Sequence, residues 1–243
     1  MTSSLAVIIL NYKRPQNIGA IASAAREALP DASIFILDQG EREDFQERGD
    51  IPWSEVWVQR AAVNKGAGAR VPLACRLPFD FYVAIDDDVF LTPEQISRLA
   101  ELVRAQPDRA HGVWGERLEL NQGAINFRTS ITGIDAALSN LNEVYAFSRS
   151  QAAAAIQLSA RLGFPSWEAV KVGNDILLSC ASREPPLCHD LGAIKHCPTS
   201  NEPGIAVWLS DGFRERRAEI AQRLVAAQAI AVFTPLTFSS VAP

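Results

Sequence analysis

Short apolar runs alternate with segments of helical periodicity along the first hundred residues of the chain. Runs rich in β-branched and aromatic residues predict strands at 5–10, 33–37, 56–58 and 79–85. Apolar residues spaced for one helical face predict helices over 16–29, 70–77 and 93–105. This alternation favours an α/β fold whose sheet is open, mixed but mostly parallel, and flanked by helices.

The second half of the chain predicts a less regular set of elements. Strand-like runs lie at 111–115, 124–127 and 144–147, and helical patterns lie at 150–162, 176–182 and 213–230. No linker-like segment separates the halves, so we expect residues 1–243 to form one domain. Within it, Thr92, Pro93 and Gln95 have the spacing of a capping box and predict a helix start.

The densest group of polar positions is Asp86-Asp87-Asp88, directly after the apolar run 79–85. Three adjacent carboxylates repel one another, and folding alone gives no reason to gather them. A hard divalent cation that bridges to a diphosphate does give one, because Mg²⁺ and Mn²⁺ prefer oxygen ligands. Ligands of open α/β sheets bind at the carboxyl ends of strands, where this group is expected. The alternative is a solvated acidic turn, with Asp88 or Thr92 capping the following helix.

Three further polar residues are candidates for the same ligand. Asp38 follows the second predicted strand and has the chemistry to accept a hydrogen bond from a base or ribose, or to cap the turn at Gly40. Arg14 and Arg70 carry planar guanidinium groups that pair with phosphate or stack on a base. Surface salt bridges are the alternative for both arginines.

Composition narrows the function class. The chain has 243 residues, of which 48% are hydrophobic, and a formal net charge of −5, which argues against nucleic acid as the main partner. No apolar stretch has the length of a membrane span, and the first residues lack the pattern of a signal peptide, so we expect a cytoplasmic protein. The four cysteines form no CxxC pair and no disulfide framework, which favours reduced thiols.

Taken together, the motifs resemble the glycosyltransferases of the GT-A fold, and among them the exostosin-type enzymes (family sixty-four). The resemblance covers most of the chain and rests on the order of its motifs: 10–14, Asp38, 64–70, 85–88, 174–176 and 201–208 with an arginine beyond. It implies a nucleotide-sugar-binding half at about 1–105 fused to an acceptor-binding half at about 106–243. The donor is then a UDP-sugar, and the acceptor is a glycan or another small molecule with a hydroxyl group.

The resemblance also implies roles for individual residues. Asp88 would ligate Mn²⁺ or Mg²⁺ with Asp86 nearby, and late histidines of related families make His196 a candidate third ligand. Asp86 would also contact ribose or the donor sugar, and Asp87 would hold sugar hydroxyls or the waters of the metal. The remaining candidates for the nucleotide sugar are Asn11, Tyr12, Arg14, Asp38, Asn64 and Arg70.

Asp175 is the candidate for the reacting centre. In an inverting enzyme it would remove the acceptor proton, and in a retaining enzyme, which the exostosin resemblance implies, it would stabilise the cationic sugar. Capping of a helix by Asn174 or Asp175 is compatible with both roles. A late arginine would then steady the leaving phosphate. We select Arg214, with Arg216 and Arg217 as alternatives.

Two other functions were weighed. A sugar nucleotidyltransferase also binds a nucleotide through metal-bound aspartates, but it needs a Gly-rich loop after the first strand, and residues 11–15 contain no glycine. An inactive nucleotide-binding scaffold is the second alternative. The polar loop 199–212 is a candidate lid over the donor.

Overall fold

A computed structural model describes residues 4–40, 51, 53–121, 124–142, 145–182, 184–228, 230 and 232–233 of the chain. The helices are α1 (Pro15–Ala28), α2 (Arg70–Arg76), α3 (Pro93–Ala105), α4 (Arg149–Arg161), α5 (Asn174–Ser179) and α6 (Phe213–Ala226). The strands of the first half are β1 (Leu5–Asn11), β2 (Ser33–Asp38), β3 (Val56–Arg60), β4 (Phe81–Ile85) and β5 (Val89–Phe90). Those of the second half are β6 (His111–Gly112), β7 (Trp114–Asn121), β8 (Ala124–Thr132), β9 (Ala136–Ala137), β10 (Asn140–Leu141), β11 (Tyr145–Ser148), β12 (Leu187–Cys188), β13 (Lys195–His196) and β14 (Val232–Phe233).

Eight strands form the main sheet, in the order β3-β2-β1-β4-β11-β6-β12-β9. The first four strands in this order are parallel to their neighbours, and β11 joins β4 in the antiparallel direction. The carboxyl ends of β1, β2 and β4 therefore meet at one edge, which places the residues after all three strands close together. The expected mixed, mostly parallel α/β sheet is confirmed.

The hydrophobic core lies on both faces of this sheet. Side chains of β1 alternate between the two: Val7 and Ile9 pack with helices α1 and α3, and Ala6 and Ile8 pack with helices α2 and α4. All four side chains are fully buried, as expected for a central parallel strand. Such burial holds the ends of the strands, and so the site residues, in fixed positions.

The predicted strands and helices of the first half are confirmed within about two residues. The capping box of α3 is also confirmed, since the Thr92 hydroxyl accepts from the Gln95 backbone and the Gln95 side chain accepts from Thr92. The second half departs further from prediction. β7 and β8 pair as a long antiparallel hairpin. The sequence predicted only the first residues of each strand, and charged residues interrupt the apolar pattern of β7.

Two helix boundaries of the second half were also predicted wrongly. The helix predicted at 176–182 begins at Asn174 and ends at Ser179, and its N-cap is Gly173 in the left-handed region rather than Asn174 or Asp175. The last helix ends at Ala226, four residues before the predicted end. Among the described residues, no helix has both the length and the apolar character needed to cross a membrane.

Candidate active site

The three aspartates occupy the turn between β4 and β5, at the carboxyl edge of the main sheet. Each has a different set of partners. Asp87 is buried, whereas the side chains of Asp86 and Asp88 keep 21% and 17% of their surface exposed. The outer two carboxylates are thus the ones that a ligand can reach.

Asp87 organises the turn that follows β1. Its Oδ2 accepts hydrogen bonds from the backbone N–H of Tyr12 (2.9 Å) and Lys13 (3.3 Å), and its Oδ1 accepts from Arg14 Nη1 (2.8 Å). The Asn17 side chain also donates to the Asp87 carbonyl, at 2.7 Å. Both carboxylate oxygens of Asp87 are therefore engaged by the turn after β1, and they hold that turn against the end of β4.

Asp86 pairs with Arg70, the first residue of α2. Arg70 is 1% exposed, and its guanidinium lies 4.9 Å from the centre of the Tyr145 ring. Burial by itself lowers the pKa of Arg70, but the charge and hydrogen bond of Asp86, together with nearby Tyr145 and Asp175, outweigh burial and raise the pKa above its ordinary value. Arg70 therefore stays charged, and it fixes the carboxylate of Asp86 at the end of β4.

Asp88 lies within reach of Arg14 and of a segment from the second half. Arg14 Nη2 is 3.2 Å from Asp88 Oδ2, and the same guanidinium donates to the hydroxyl (2.8 Å) and carbonyl (3.0 Å) of Thr199. The Cys197 N–H donates to the Asp88 carbonyl at 2.8 Å, and β13 pairs with β5 so that His196 is opposite Val89. The backbone thereby brings His196 next to the aspartate turn, with its ring edge-to-face against Trp114 at 5.1 Å.

The loop expected to act as a lid is tied to the β1 turn at two points. One is the pair of Arg14 hydrogen bonds to Thr199, and the other is a bond from Lys13 Nζ to the Gly204 carbonyl at 2.6 Å. Residues 199–204 therefore lie over the aspartate turn in this structure.

Asn11 and Asp38 are neighbours at the ends of β1 and β2. Asn11 Nδ2 donates to Asp38 Oδ1 at 2.8 Å, and the Gly40 N–H donates to the same oxygen at 3.1 Å, so Asp38 does cap this turn. Both residues are 1% exposed. Their other oxygens, Asn11 Oδ1 and Asp38 Oδ2, are buried without a hydrogen-bond partner among the described residues, although Arg60 Nε lies 3.4 Å from Asp38 Oδ2. Buried acceptors without donors cost free energy and favour a ligand that brings N–H or O–H groups.

Asn64 and Tyr12 lie at the rim of this region. Asn64 is exposed, and its Oδ1 accepts from the Gly66 N–H at 2.8 Å, which shapes the turn before α2. The Tyr12 side chain is partly buried, with Lys13 Nζ 5.2 Å from its ring centre. Tyr12 therefore lies on the turn after β1 and Asn64 lies on the turn before α2, and both turns border the aspartates.

Asp175 belongs to a buried ion-pair network of the second half. Both of its oxygens accept from Arg217 Nη1, at 2.9 and 2.6 Å, while Arg217 Nη2 pairs with Glu116 on β7. Glu116 Oε2 also accepts from Asn140 Nδ2, at 3.0 Å. Burial opposes the charge on Arg217, but Asp175 and Glu116 outweigh it and raise the pKa of Arg217. The charge of Asp175 also acts on Arg70, which is the partner of Asp86. Through Arg70, this network is linked electrostatically to Asp86.

Of the three late arginines, the structure brings Arg217 to Asp175. Arg214 and Arg216 are exposed, and Arg216 donates to the Asp211 carbonyl at 2.8 Å. Arg214, the residue selected from the sequence, does not contact Asp175. Consecutive positions on a helix point in different directions, and only the burial of α6 against α5 shows which arginine faces inward.

Glu116 and Tyr145 were not identified from the sequence, and Thr199 was identified only as the first residue of the predicted lid. Each lies far along the chain from its partner, and none belongs to a local motif. The one available signal was a charged residue, Glu116, within the otherwise alternating segment 114–121, but a half-exposed strand shows the same pattern.

No cluster of three or more His, Cys, Asp or Glu side chains suited to a metal ion occurs in the part of the chain that the structure describes. Asp88 directly precedes β5 and His196 belongs to the paired strand β13, and both have suitable chemistry for a cation that takes its remaining ligands from a diphosphate and water. The site thus fits a metal bound together with its substrate.

Comparison with known proteins supports the fold. No family model and no curated protein matches the sequence. Among solved structures, the chain is similar to S. aureus TarS residues 1–349, with a TM-score of 0.53 and 12% identity over 92% of this chain and 72% of that one. A TarS structure in complex with UDP gives a TM-score of 0.52 over the same shares. The chain is also similar to GalNAc-T7 with UDP, GalNAc and Mn²⁺, with a TM-score of 0.58 and 13% identity. This match covers 92% of the present chain and 48% of the GalNAc-T7 chain. The expectation of a GT-A fold is confirmed.

Proposed function

We propose that this chain is a metal-dependent glycosyltransferase that moves a sugar from a UDP donor to a hydroxyl group of a glycan or small-molecule acceptor. The observation that carries the proposal is the placement of Asp86 and Asp88 at the carboxyl edge of a GT-A sheet, each beside an arginine. Two acidic and two basic groups at one edge suit a diphosphate and its cation. Two of the structures it resembles contain UDP, and one of these two also contains Mn²⁺.

The nucleoside is assigned to the ends of β1 and β2. Asn11 Oδ1 has no hydrogen-bond donor among the described residues, and Asp38 Oδ2 has only the ion pair with Arg60 at 3.4 Å. A uracil ring or ribose brings N–H and O–H groups to such acceptors. Tyr12 and Asn64 border this position on the two adjoining turns. Arg14 lies on the turn that follows Asn11 and pairs with Asp88, and a guanidinium is well suited to phosphate.

The cation is assigned to Asp88, with Asp86 and His196 as the neighbouring candidates. When bound, Mn²⁺ or Mg²⁺ would neutralise the charge of the departing diphosphate. Arg14 and Arg70 contribute positive charge to the same edge, because both are held against these aspartates by hydrogen bonds or ion pairs. The protein thus surrounds the leaving group with fixed charges instead of mobile water.

Asp175 is assigned to the reacting sugar, and the transfer is proposed to retain configuration, as the resemblance to exostosin-type enzymes implies. Both oxygens of Asp175 accept from Arg217, so its negative charge has a fixed position. A fixed carboxylate stabilises positive charge that develops on the anomeric carbon. Arg217 is engaged by Asp175 and Glu116, so we assign it to holding Asp175 rather than to the leaving phosphate.

The first experiment measures UDP binding and UDP-sugar hydrolysis by the wild type and Asp88→Ala, with Mn²⁺ and with EDTA. We expect UDP affinity to fall about tenfold or more with EDTA or in Asp88→Ala, since a metal–diphosphate contact is lost. Asp108→Ala removes an exposed carboxylate outside the site and serves as the control. Metal-independent UDP affinity, unchanged in Asp88→Ala, would contradict the metal assignment, and absence of any UDP binding would contradict the proposed function.

The same assay separates the alternatives. A sugar nucleotidyltransferase releases pyrophosphate from UTP and a sugar phosphate, whereas a glycosyltransferase releases UDP from a UDP-sugar. We expect UDP release, abolished in Asp175→Asn, and no turnover of UTP. An inactive scaffold would bind UDP without hydrolysing any UDP-sugar. Once an acceptor is known, NMR of the product gives the configuration: an α-linked product from a UDP-α-sugar shows retention.

A further inference from the structure

A cavity of about 250 Å³ lies next to the proposed donor site. Edge strand β3 and helix α2 form one side of it, and the short helical turn Trp167–Val170 forms the other. Gly68 and Asn174 pack against each other in its wall, where a Cβ on Gly68 would lie 3.0 Å from the Asn174 side chain. Trp167 Nε1 holds this wall by donating to the Gly68 carbonyl at 2.8 Å.

The described lining of this cavity is strongly basic. It contains four cationic side chains and a single carboxylate, Glu168; the cations are Arg60, Lys65, Arg76 and Lys171. All five side chains are exposed, although Arg60 also pairs with Asp38. The whole chain carries a net charge of −5, so this excess of positive charge is local. A concave surface lined by one sign of charge concentrates ligands of the opposite sign.

The cavity is separate from the groups proposed to hold the diphosphate. Arg14 and Arg70, which contact the aspartates, do not line it. It borders α5 instead, because Asn174 lines the cavity; the next residue in that helix is Asp175, whose carboxylate faces Arg217. A molecule seated there lies against the helix that carries the proposed catalytic carboxylate.

We infer that this cavity binds an anionic group of the acceptor, a phosphate or a carboxylate, so that the acceptor is an anionic saccharide or a phosphorylated polyol. This inference rests on the proposed function and names its acceptor class. The volume suits one sugar unit. The four cations supply the charge complementarity that would distinguish an anionic acceptor from a neutral one.

The test measures binding of glucose 6-phosphate, glucuronate and glucose by calorimetry, in the presence of UDP and Mn²⁺. The variant Arg76→Gln/Lys171→Gln removes two cavity charges and leaves the residues at the aspartates unchanged. Arg104→Gln/Arg161→Gln removes two exposed charges from α3 and α4, outside the cavity, and is the matched control. We expect the wild type to prefer at least one anionic sugar over glucose by about tenfold, and the cavity variant alone to lose that preference.

The outcomes are distinguishable. Tighter binding of glucose 6-phosphate or of glucuronate than of glucose, lost in the cavity variant, supports the inference. Which of the two binds more tightly distinguishes a phosphate from a carboxylate ligand. Equal binding of all three sugars, or an unchanged preference in the cavity variant, overturns it. A parallel loss of UDP affinity in the cavity variant also overturns it, since the cavity then belongs to the donor. Failure of the wild type to bind UDP, with the preference for anionic sugars intact, overturns the proposed function and not the anion site.

Discussion

At the residue scale, neighbouring charged side chains have different functions because their surroundings differ. Asp86, Asp87 and Asp88 are consecutive, yet Asp87 faces the β1 turn while the outer two keep part of their surface exposed. The reason is the change in side-chain direction from each residue to the next. A motif of three aspartates therefore contains one carboxylate that is buried against the β1 turn and two that keep part of their surface exposed.

Asp87→Ala is expected to destabilise the fold more than it alters metal binding. It leaves two backbone N–H groups without their acceptor and removes one of the two carboxylates paired with the buried Arg14, which should cost about 2–4 kcal/mol in unfolding free energy. Urea unfolding measures this loss, with Asp108→Ala, on an exposed loop, as the control. A variant of wild-type stability would show that the turn does not depend on this carboxylate.

The late arginines give a second prediction at this scale. Arg217→Ala leaves Asp175 and Glu116 together without their buried cation, so it should lose about 3–5 kcal/mol of stability and most transfer activity. Arg214→Ala and Arg216→Ala change exposed side chains and should stay near wild type in both respects. Urea unfolding and UDP-sugar hydrolysis measure the three variants side by side.

Arg217→Lys separates charge from geometry. Lysine keeps the positive charge but lacks the fork that joins Asp175 to Glu116, so we expect a folded protein with reduced turnover and unchanged UDP affinity. Loss of activity in Arg214→Ala, with Arg217→Ala unaffected, would instead assign the catalytic role to Arg214.

At the scale of elements, the position of α5 depends on Gly173. Its φ is +86°, and a Cβ there would lie 2.5 Å from Ile220 Cδ1 on α6. The left-handed φ favours glycine, and an added Cβ would displace the end of the buried Ile220 side chain. A short helix thus takes its position from the turn before it and from the helix packed against it.

Gly173→Ala is expected to lower stability by about 2–3 kcal/mol, through left-handed strain and overpacking, and to reduce hydrolysis of the UDP-sugar. Gly192→Ala is the matched control, because its φ is +83° but a Cβ there would meet nothing within 4 Å. The control should lose about 1 kcal/mol from backbone strain alone. Equal losses in thermal or urea unfolding would show that the contact with Ile220 does not matter.

Helix α3 offers a prediction that is independent of the site. Thr92→Ala removes the hydroxyl that accepts from Gln95, and should cost about 1 kcal/mol in unfolding free energy. UDP affinity should not change, since the helix packs on the face of the sheet away from α2. Thr92→Ser retains the hydroxyl and should behave as wild type in the same urea titration.

At the scale of the whole molecule, stability should depend on pH through a buried histidine pair. His111 is fully buried, with Nε2 2.9 Å from the Gln106 carbonyl and Nδ1 3.0 Å from His189 Nε2. Burial lowers the pKa of His111 to about 4, and His189 is shifted in the same direction by its own burial. Both rings are therefore neutral in the folded protein near pH 7.

Between pH 6.5 and 4, the unfolded chain binds a proton at His111 that the folded protein does not bind. The stabilisation from this group is thus complete above pH 6.5 and is lost as the pH falls, with a slope of about 1 kcal/mol per pH unit. Urea unfolding of the wild type and His111→Gln across this range measures the difference in slope. Parallel curves would contradict the assignment to His111.

Local patterns in the sequence by themselves determined the first half of this protein: the apolar strands, the helices between them, the capping box of α3 and the aspartates at a strand end. These features depend on residues a few positions apart, so short segments specify them. Only the tertiary structure decided that Asp87 faces inward, that Arg217 rather than its neighbours meets Asp175, and that Glu116 completes the network. Those contacts join residues between 42 and 101 positions apart, and burial from several elements selects them, so no short segment specifies them.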